Sequence, residues 1–478
     1  MHLKQVTIRN FRSFENLTVD MHPRLTVLVA ENGGGKTAVL DAIAIGLAPV
    51  LRLLSSANQR LKGPGFEDTD FRLVHWTDRR GEQQWSASDY AQVILTTTTG
   101  VIWDNWRPSE AGKQPETKVG QAGLSDFAKG ILDRVRTENP DVMPVFAYYG
   151  ARRGWIHIPD RLWASKVDYT HPTSALVGAL DALTDFKEML KWFDAEESTE
   201  LRANKGLPRE GWTPSTSLNE VRDAVNAILG GDYSNPHFNE KHKFVVESKK
   251  DAGVLQVCQL SQGYQSMLAL AMDFARRLAL ANSHLAHMDN TQDWVTASNY
   301  YRQWGPEVED GKELPLMGPR WSPAIMLIDE ADLHLHPSWQ QRVLTDLMRA
   351  FPVTQFIVTT HSPQVLTTVK REHIRILGRD STGAWRAEPP SKETKGVESA
   401  VVMNDVMKVN PVPPVIEAQW LNDYTALIET GAHESETGRE LHDKLIKHYG
   451  EQHPIILDCN RLIRFQAFKN RMIPISKD

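Results

Sequence analysis

Between two apolar runs, Leu25 to Val29 and Ala38 to Leu47, lies the segment Ala30-Glu31-Asn32-Gly33-Gly34-Gly35-Lys36-Thr37. The first run, LTVLV, is short and β-branched, as a buried parallel strand is. The second, AVLDAIAIGL, has the apolar density of a buried helix, with Pro49 near its end. A strand, a glycine-rich turn and a helix in that order call for an α/β sheet whose loop opens at the carboxyl edge. The loop matches the phosphate-binding pattern except that Ala30 stands at its first glycine. Gly33, Gly34 and Gly35, with Asn32 before them, let backbone N–H groups wrap an anion, and the next helix turns its positive end toward it. Lys36 would then reach the β- and γ-phosphates of ATP, and the Thr37 hydroxyl would ligate Mg²⁺.

Three later segments fit that start. Ile325 to Ile328 is an apolar strand ending in Asp329-Glu330, which brings two carboxylates to the same sheet edge. Asp329 would hold the Mg²⁺ shell, and Glu330 would orient and polarise the attacking water. Leu260-Ser261-Gln262-Gly263-Tyr264-Gln265 precedes an apolar helix, SMLALAMDFARRLAL; taken alone, Ser261 reads as a plain helix cap. Phe356 to Thr360 is a β-branched strand running into His361. A single histidine there is more often structural, and only the order of all four segments gives it a role.

Taken together, the segments resemble the ABC-type ATPases of the RecF/SMC-like branch. LSQGY is similar to their LSGGQ signature, with Gln262 and Tyr264 departing from its commonest form. The resemblance implies that Ser261 and Gly263 contact the γ-phosphate bound by an opposite subunit, and that His361 is the switch histidine. Ile8 to Phe14 (IRNFRSF) looks like the opening strand and turn of that branch, which places Arg12 near the nucleotide. DEADLHLHPSWQQ, Asp329 to Gln341, is similar to its acidic and D-loop segment, so His334 and His336 belong to a dimer interface and not to a metal. The implied fold is α/β: an ABC-type P-loop ATPase head, a mixed sheet with flanking helices, carrying a helical insert and a C-terminal helical tail. The implied cofactors are ATP and Mg²⁺, and the implied assembly is a homodimer or a higher oligomer built on dimers.

The spacing narrows the family. No sustained heptads separate Thr37 from Ser261, so no long coiled-coil arm is expected. No DxD follows a strand after His361, which argues against an appended Toprim nuclease. VFAYYGARR, DFKEMLKWFDAEES and LSQGYQSMLALAMDFARRLA look like the ATPase of Septu anti-phage systems, PtuA, and the ATPases encoded beside some retrons. That likeness implies an HNH endonuclease partner (PtuB-like) controlled by the ATP state, with 396–478 as the association tail. The alternative is a RecF-like repair ATPase acting on DNA without a nuclease. DNA or RNA contacts could then come from Arg152, Arg153, Lys249, Lys250, Arg461, Arg464, Lys469 and Arg471. Gln83, Gln84 and Gln92 are the candidates for a glutamine that senses the γ-phosphate, and none has a convincing context.

Composition excludes little else. The formal charge of -6 gives nucleic acid no global attraction. Cys258 and Cys459 form no CxxC pair and read as two buried thiols in a reducing compartment. No signal-like start and no run of about eighteen apolar residues is present, which points to the cytoplasm and away from a membrane. The expected division is an ATPase lobe over 1–165 with a small antiparallel sheet over 83–108, a helical lobe with the signature over 166–282, an insertion loop over 283–322, an ATPase core over 323–400, and a helical association domain over 401–478. Trp192, Trp294, Trp304 and Trp321 are most simply packing residues.

Overall fold

The computed structural model describes residues 1–56, 59–135, 137, 140–151, 167–182, 186–251, 253–287 and 318–472, with the backbone alone at 209 and 470–472. The chain forms two compact units, Met1–Met407 and Lys408–Asp478. Of the expected insertion loop, 288–317, with Trp294 and Trp304, lies outside the described residues, as do Arg152 and Arg153.

The first unit opens with β1 (Leu3–Phe11), β2 (Phe14–Asp20), β3 (Leu25–Val29) and α1 (Lys36–Leu54). There follow β4 (Leu73–Thr77), β5 (Gln83–Ala87), β6 (Tyr90–Thr97), β7 (Ile102–Pro108), α2 (Ala122–Arg134) and β8 (Val145–Tyr149). The middle holds α3 (Lys187–Ala203), α4 (Thr216–Leu229), β9 (Tyr233–Phe238), β10 (Phe244–Ser248), β11 (Val254–Gln256) and α5 (Gln262–Ala281). The last part adds β12 (Ala324–Ile328), α6 (Val343–Ala350), β13 (Thr354–Thr359), β14 (Ile374–Arg379), β15 (Trp385–Glu388) and α7 (Ser399–Asp405).

The central sheet runs β15-β14-β3-β13-β12-β8, parallel throughout except for the antiparallel edge strand β15. Every residue of β3, β8, β12 and β13 is buried, as expected of parallel strands covered on both faces. A second, antiparallel sheet runs β2-β1-β6-β7, and α1 packs between the two. The buried Gln355 amide joins them, bonding the Leu3 N–H at 2.8 Å, the Leu3 carbonyl at 2.7 Å and the His22 carbonyl at 3.0 Å.

Three features depart from the sequence reading. Pro49 does not end α1, which runs on to Leu54. Pro49 has no N–H for the Ile45 carbonyl, and the Asn105 side-chain amide supplies that bond at 2.8 Å. The Trp103 indole N–H also donates to the Gly46 carbonyl, at 2.7 Å, so two side chains of β7 bond the helix from outside. The small sheet expected over Gln83 to Pro108 is divided: β5 pairs with β4 in an exposed hairpin, and β6 and β7 join β1. The stretch read as a helical lobe also holds the three-stranded antiparallel sheet β11-β10-β9.

α7 packs into the first unit through Val402 and Val406. The second unit consists of α8 (Ile416–Glu429), α9 (Glu436–Tyr449) and α10 (Pro454–Met472), around a core of Tyr424, Ile428, Leu441, Leu445, Ile456 and Cys459. Cys459 is thus buried, but Cys258 is exposed, against the expectation of two buried thiols. Trp192 is a core residue, and Trp321 is half-buried. Among the described residues one helix, α1, is long and apolar enough to cross a membrane, and it lies in the core of the first unit.

Candidate nucleotide site

Register in the parallel sheet aligns three carboxyl ends. Thr359 of β13 pairs with Leu28 of β3, and Val358 pairs with Ile328 of β12. The glycine loop, the acidic pair and the segment leading to His361 therefore emerge side by side. Gly33 and Gly35 take φ of 77° and 84°, where a side chain is strained. A Cβ on Gly35 would also lie 2.4 Å from the Phe14 ring. Asn32 and Gly33 are exposed at the loop tip, and Gly34 donates its N–H to the Glu31 carbonyl at 3.0 Å.

Lys36 is buried, and its ammonium donates to the Ala30 carbonyl at 2.9 Å. Burial pulls its pKa below the usual lysine value, and the charges of Asp329, Glu330 and Asp332 act against that pull. Thr37 Oγ1 lies 3.0 and 3.2 Å from the two Asp329 carboxylate oxygens. Thr359 Oγ1 donates to the same carboxylate at 2.6 Å and accepts the Glu330 N–H at 2.7 Å. Glu330 turns away from the strand at φ 50°. A hydroxyl and a carboxylate converging in this way are hard oxygen donors of the kind Mg²⁺ takes, so the residues fit that ion.

His361 is held by its backbone: its N–H donates to Asp332 at 3.3 Å, and the Thr360 hydroxyl donates to the same carboxylate at 2.6 Å. Ser362 Oγ donates to Gln340 at 2.7 Å. The loop after β12 and the loop after β13 are thus cross-linked, which fixes where the imidazole starts.

Arg12, at φ 49° in the turn between β1 and β2, pairs with Asp41 of α1 at 2.7 Å and with Asp70 at 2.9 Å. Burial opposes its charge, but these two carboxylates outweigh it and raise its pKa. The Tyr148 hydroxyl donates to Asp41 at 2.8 Å, and burial together with the Asp41 charge holds that phenol protonated far above its usual range. Arg12, Asp41 and Tyr148 line a cleft of about 650 Å³ with Arg60, Lys62 and Asp181. Asp41 and Tyr148 escaped the sequence reading, although Asp41 sits one helical turn after Thr37.

The expected sensing glutamines lie elsewhere. Gln83 and Gln84 are exposed on the β4–β5 hairpin. Gln92 is buried, and its amide donates to Asp104 at 2.8 Å and to the Thr117 carbonyl at 3.0 Å, which gives it a structural role. The strand beside β12 is β8, and its Tyr149 carbonyl accepts the Asp329 N–H at 2.9 Å.

Ser261 is the exposed N-cap residue of α5, yet its side chain makes no capping bond. Gly263 is buried, and a Cβ there would meet the His334 carbonyl at 2.6 Å. Ser261 and Gly263 share a cavity of about 450 Å³ with Asp232, Lys250, His334, His336 and Trp339. None of the described hydrogen bonds or ion pairs joins Ser261 or Gly263 to Lys36 or Thr37. His336 Nδ1 accepts the Ser338 N–H at 3.3 Å as the cap of a single helical turn. Of the cations considered for nucleic acid, Lys250 is paired with Asp232 and Arg461 with Asp458, while Lys249 and Lys469 are exposed.

Among the described residues, one cluster has metal-ligand types: His22, Glu372 and His373, at the amino ends of β3 and β14. His22 Nδ1 accepts the Arg24 N–H at 3.1 Å, so its proton sits on Nε2 and no lone pair remains for a metal.

A loop-bearing parallel sheet with this acidic edge agrees with the family matches. Residues 5–207 match an AAA domain, and residues 156–367 match the family described as "AAA domain, putative AbiEii toxin, Type IV TA system". The chain carries an AAA-type ATPase domain. The ATPase is 27% identical to "Retron Ec83 probable ATPase" of Escherichia coli, over 94% of this chain and 84% of that one. It is 33% identical to "Septu protein PtuA" of Bacillus mycoides (strain KBAB4), over 22% of this chain and 10% of that one. Among solved structures, the SMC head domain from Thermotoga maritima aligns at a TM-score of 0.34 and 14% identity, over 82% of this chain and 100% of that one.

Proposed function

We propose that this ATPase closes in pairs around ATP and that hydrolysis releases the pair, switching an HNH-type nuclease bound to it. The observation that carries the reading is the separation of two half-sites within one chain. The Lys36–Thr37 loop converges on Asp329, while Ser261 and Gly263 open on a different cavity with His334 and His336. A nucleotide held by one half has its γ-phosphate free to meet the helix N-terminus of a second copy.

In that reading Lys36 and the backbone N–H groups of Gly33 to Gly35 bind the β- and γ-phosphates, and Arg12 lies toward the nucleotide. Thr37 and Asp329 would hold Mg²⁺, which neutralises charge on the phosphate oxygens when bound. Glu330 orients the attacking water and accepts its proton, and His361 donates toward the γ-phosphate. Ser261 and Gly263 of the second copy complete the site. The likeness to retron and Septu ATPases supports a place in anti-phage defence, with the nuclease as the effector.

The test uses Glu330→Gln, Asn32→Cys and Ser261→Cys in a Cys258→Ser background, with a short bis-maleimide. ATP should raise the yield of cross-linked chain pairs and ADP should not. A yield indifferent to nucleotide overturns the paired site. Nuclease control is read separately, by native mass spectrometry of the ATPase co-expressed with a neighbouring HNH-type protein.

A further inference from the structure

Thr359, the last residue of β13, is fully buried, and it holds the acidic pair from the neighbouring strand. Its hydroxyl has one proton and two lone pairs. A carboxylate only accepts and a backbone N–H only donates, which settles the direction of both bonds. The proton goes to Asp329 Oδ1 at 2.6 Å, and a lone pair takes the Glu330 N–H at 2.7 Å. The Thr359 carbonyl accepts the Ala331 N–H at 2.8 Å. One residue thus grips Asp329, Glu330 and Ala331 where the chain leaves β12. A hydroxyl buried at a strand end is costly unless it is bonded, and here its bonds fall on the two residues at the centre of the site.

The two bonds fix different things. Thr37 Oγ1 lies 3.0 Å from Asp329 Oδ2 and 3.2 Å from Oδ1, and the Asp329 N–H donates to the Tyr149 carbonyl at 2.9 Å. The Thr359 bond on Oδ1 sets the rotation of the carboxylate, and with it the direction in which Oδ2 faces the Thr37 hydroxyl. Glu330 sits at φ 50°, a left-handed conformation that a residue other than glycine keeps only where its surroundings impose it. The bond from its N–H to Thr359 is such a constraint, and it sets where the Glu330 side chain leaves the backbone. We propose that Thr359 is a positioning residue for hydrolysis, its one hydroxyl locking the Asp329 and Glu330 carboxylates into a single geometry. The proposal rests on the reading in which Asp329 holds Mg²⁺ and Glu330 orients the water. Thr359 acts through those two side chains and needs no contact of its own with the nucleotide. A bonded partner behind a metal ligand typically matters about 10- to 100-fold in metal affinity or activity.

The test measures the affinity of the full-length chain for a fluorescent, non-hydrolysable ATP analogue, in EDTA and again in excess Mg²⁺. The ratio of the two isolates what the ion contributes. Wild type should bind more tightly with Mg²⁺, and Asp329→Asn should lose that advantage. Thr359→Val keeps the branched shape in the strand but has no hydroxyl. It should cut the Mg²⁺ advantage about tenfold, leave affinity in EDTA within about twofold, and slow phosphate release about 100-fold. Thr359→Ser keeps the hydroxyl, drops the methyl group, and should restore both readouts to near wild type. If Thr359→Val does not fold by circular dichroism, Thr359→Cys replaces it; its thiol is a weak donor, and its losses should be smaller but in the same direction. An Asp329→Asn variant that keeps the Mg²⁺ advantage overturns the metal reading and this proposal with it. If Asp329→Asn loses that advantage while Thr359→Val keeps it and hydrolyses ATP at the wild-type rate, the proposal alone is overturned. Thr359→Ser as impaired as Thr359→Val also overturns it, because the methyl packing and not the hydroxyl would then carry the effect.

Discussion

Replacing Asp273 with Asn leaves two guanidinium groups in the core with no counter-charge. Asp273 sits in the middle of α5, with its side chain 2% exposed and those of Arg276 and Arg277 4% and 3% exposed. Both arginines reach its carboxylate at 2.7 Å, and the Tyr149 hydroxyl donates to it at 2.9 Å. Burial alone would raise the carboxyl pKa, but Arg277 and Arg276 outweigh it and bring it from 3.8 to about 2. That shift favours the charged form by about 2 to 3 kcal/mol. Removing one member of a buried ion pair typically costs about 3 to 5 kcal/mol, so Asp273→Asn should lose about that much. The sign with pH follows. A depressed folded pKa contributes stability that is complete above the unfolded pKa of about 3.9 and is lost as pH falls through about 2. Urea unfolding followed by tryptophan fluorescence should therefore show a wild-type advantage that is flat between about pH 5 and 8 and shrinks below about pH 4. Asp273→Leu with Arg276→Met and Arg277→Met should recover only part of it, because Arg277 also donates to the Ala175 and Val177 carbonyls. A loss below about 1 kcal/mol, or one that ignores pH, would refute this account of the α5 core.

Two further substitutions test other parts of the fold. Asn105→Ala strips the Ile45 carbonyl of its partner and should cost about 1 to 2 kcal/mol in thermal unfolding; adding Pro49→Ala, which returns a helical N–H, should recover most of it. Gly263→Ala drives a methyl into the His334 carbonyl, 2.6 Å away, and should destabilise the chain by about 1 to 3 kcal/mol. Steady-state phosphate release should fall with it, while binding of a fluorescent ATP analogue to the Lys36 loop should change less than twofold.

The nucleotide loop was legible in the linear chain because its geometry is local. Gly33 and Gly35 sit at positive φ, Lys36 opens the helix, and Leu25 to Val29, apolar but for Thr26, are buried on both faces. Contiguous residues with such torsional demands announce themselves whatever the rest of the chain does. The apolar strand before Asp329-Glu330 was readable for the same reason. What lay beyond reach depends on which distant strands become neighbours. Sheet order puts β13 between β3 and β12, and thereby brings Thr359 to Asp329; no spacing in the chain encodes that contact. Gln92 was one of three candidate sensors, none in a convincing context, and only its partners Asp104 and Thr117 give it a structural role; Pro49 looked like a helix end until Asn105 supplied the missing donor. Asp41 and Tyr148 carried no motif at all, because an ion pair and a hydroxyl bond between separate elements leave no periodic trace. Local backbone preference wrote the motifs, and long-range packing decided which side chains face them.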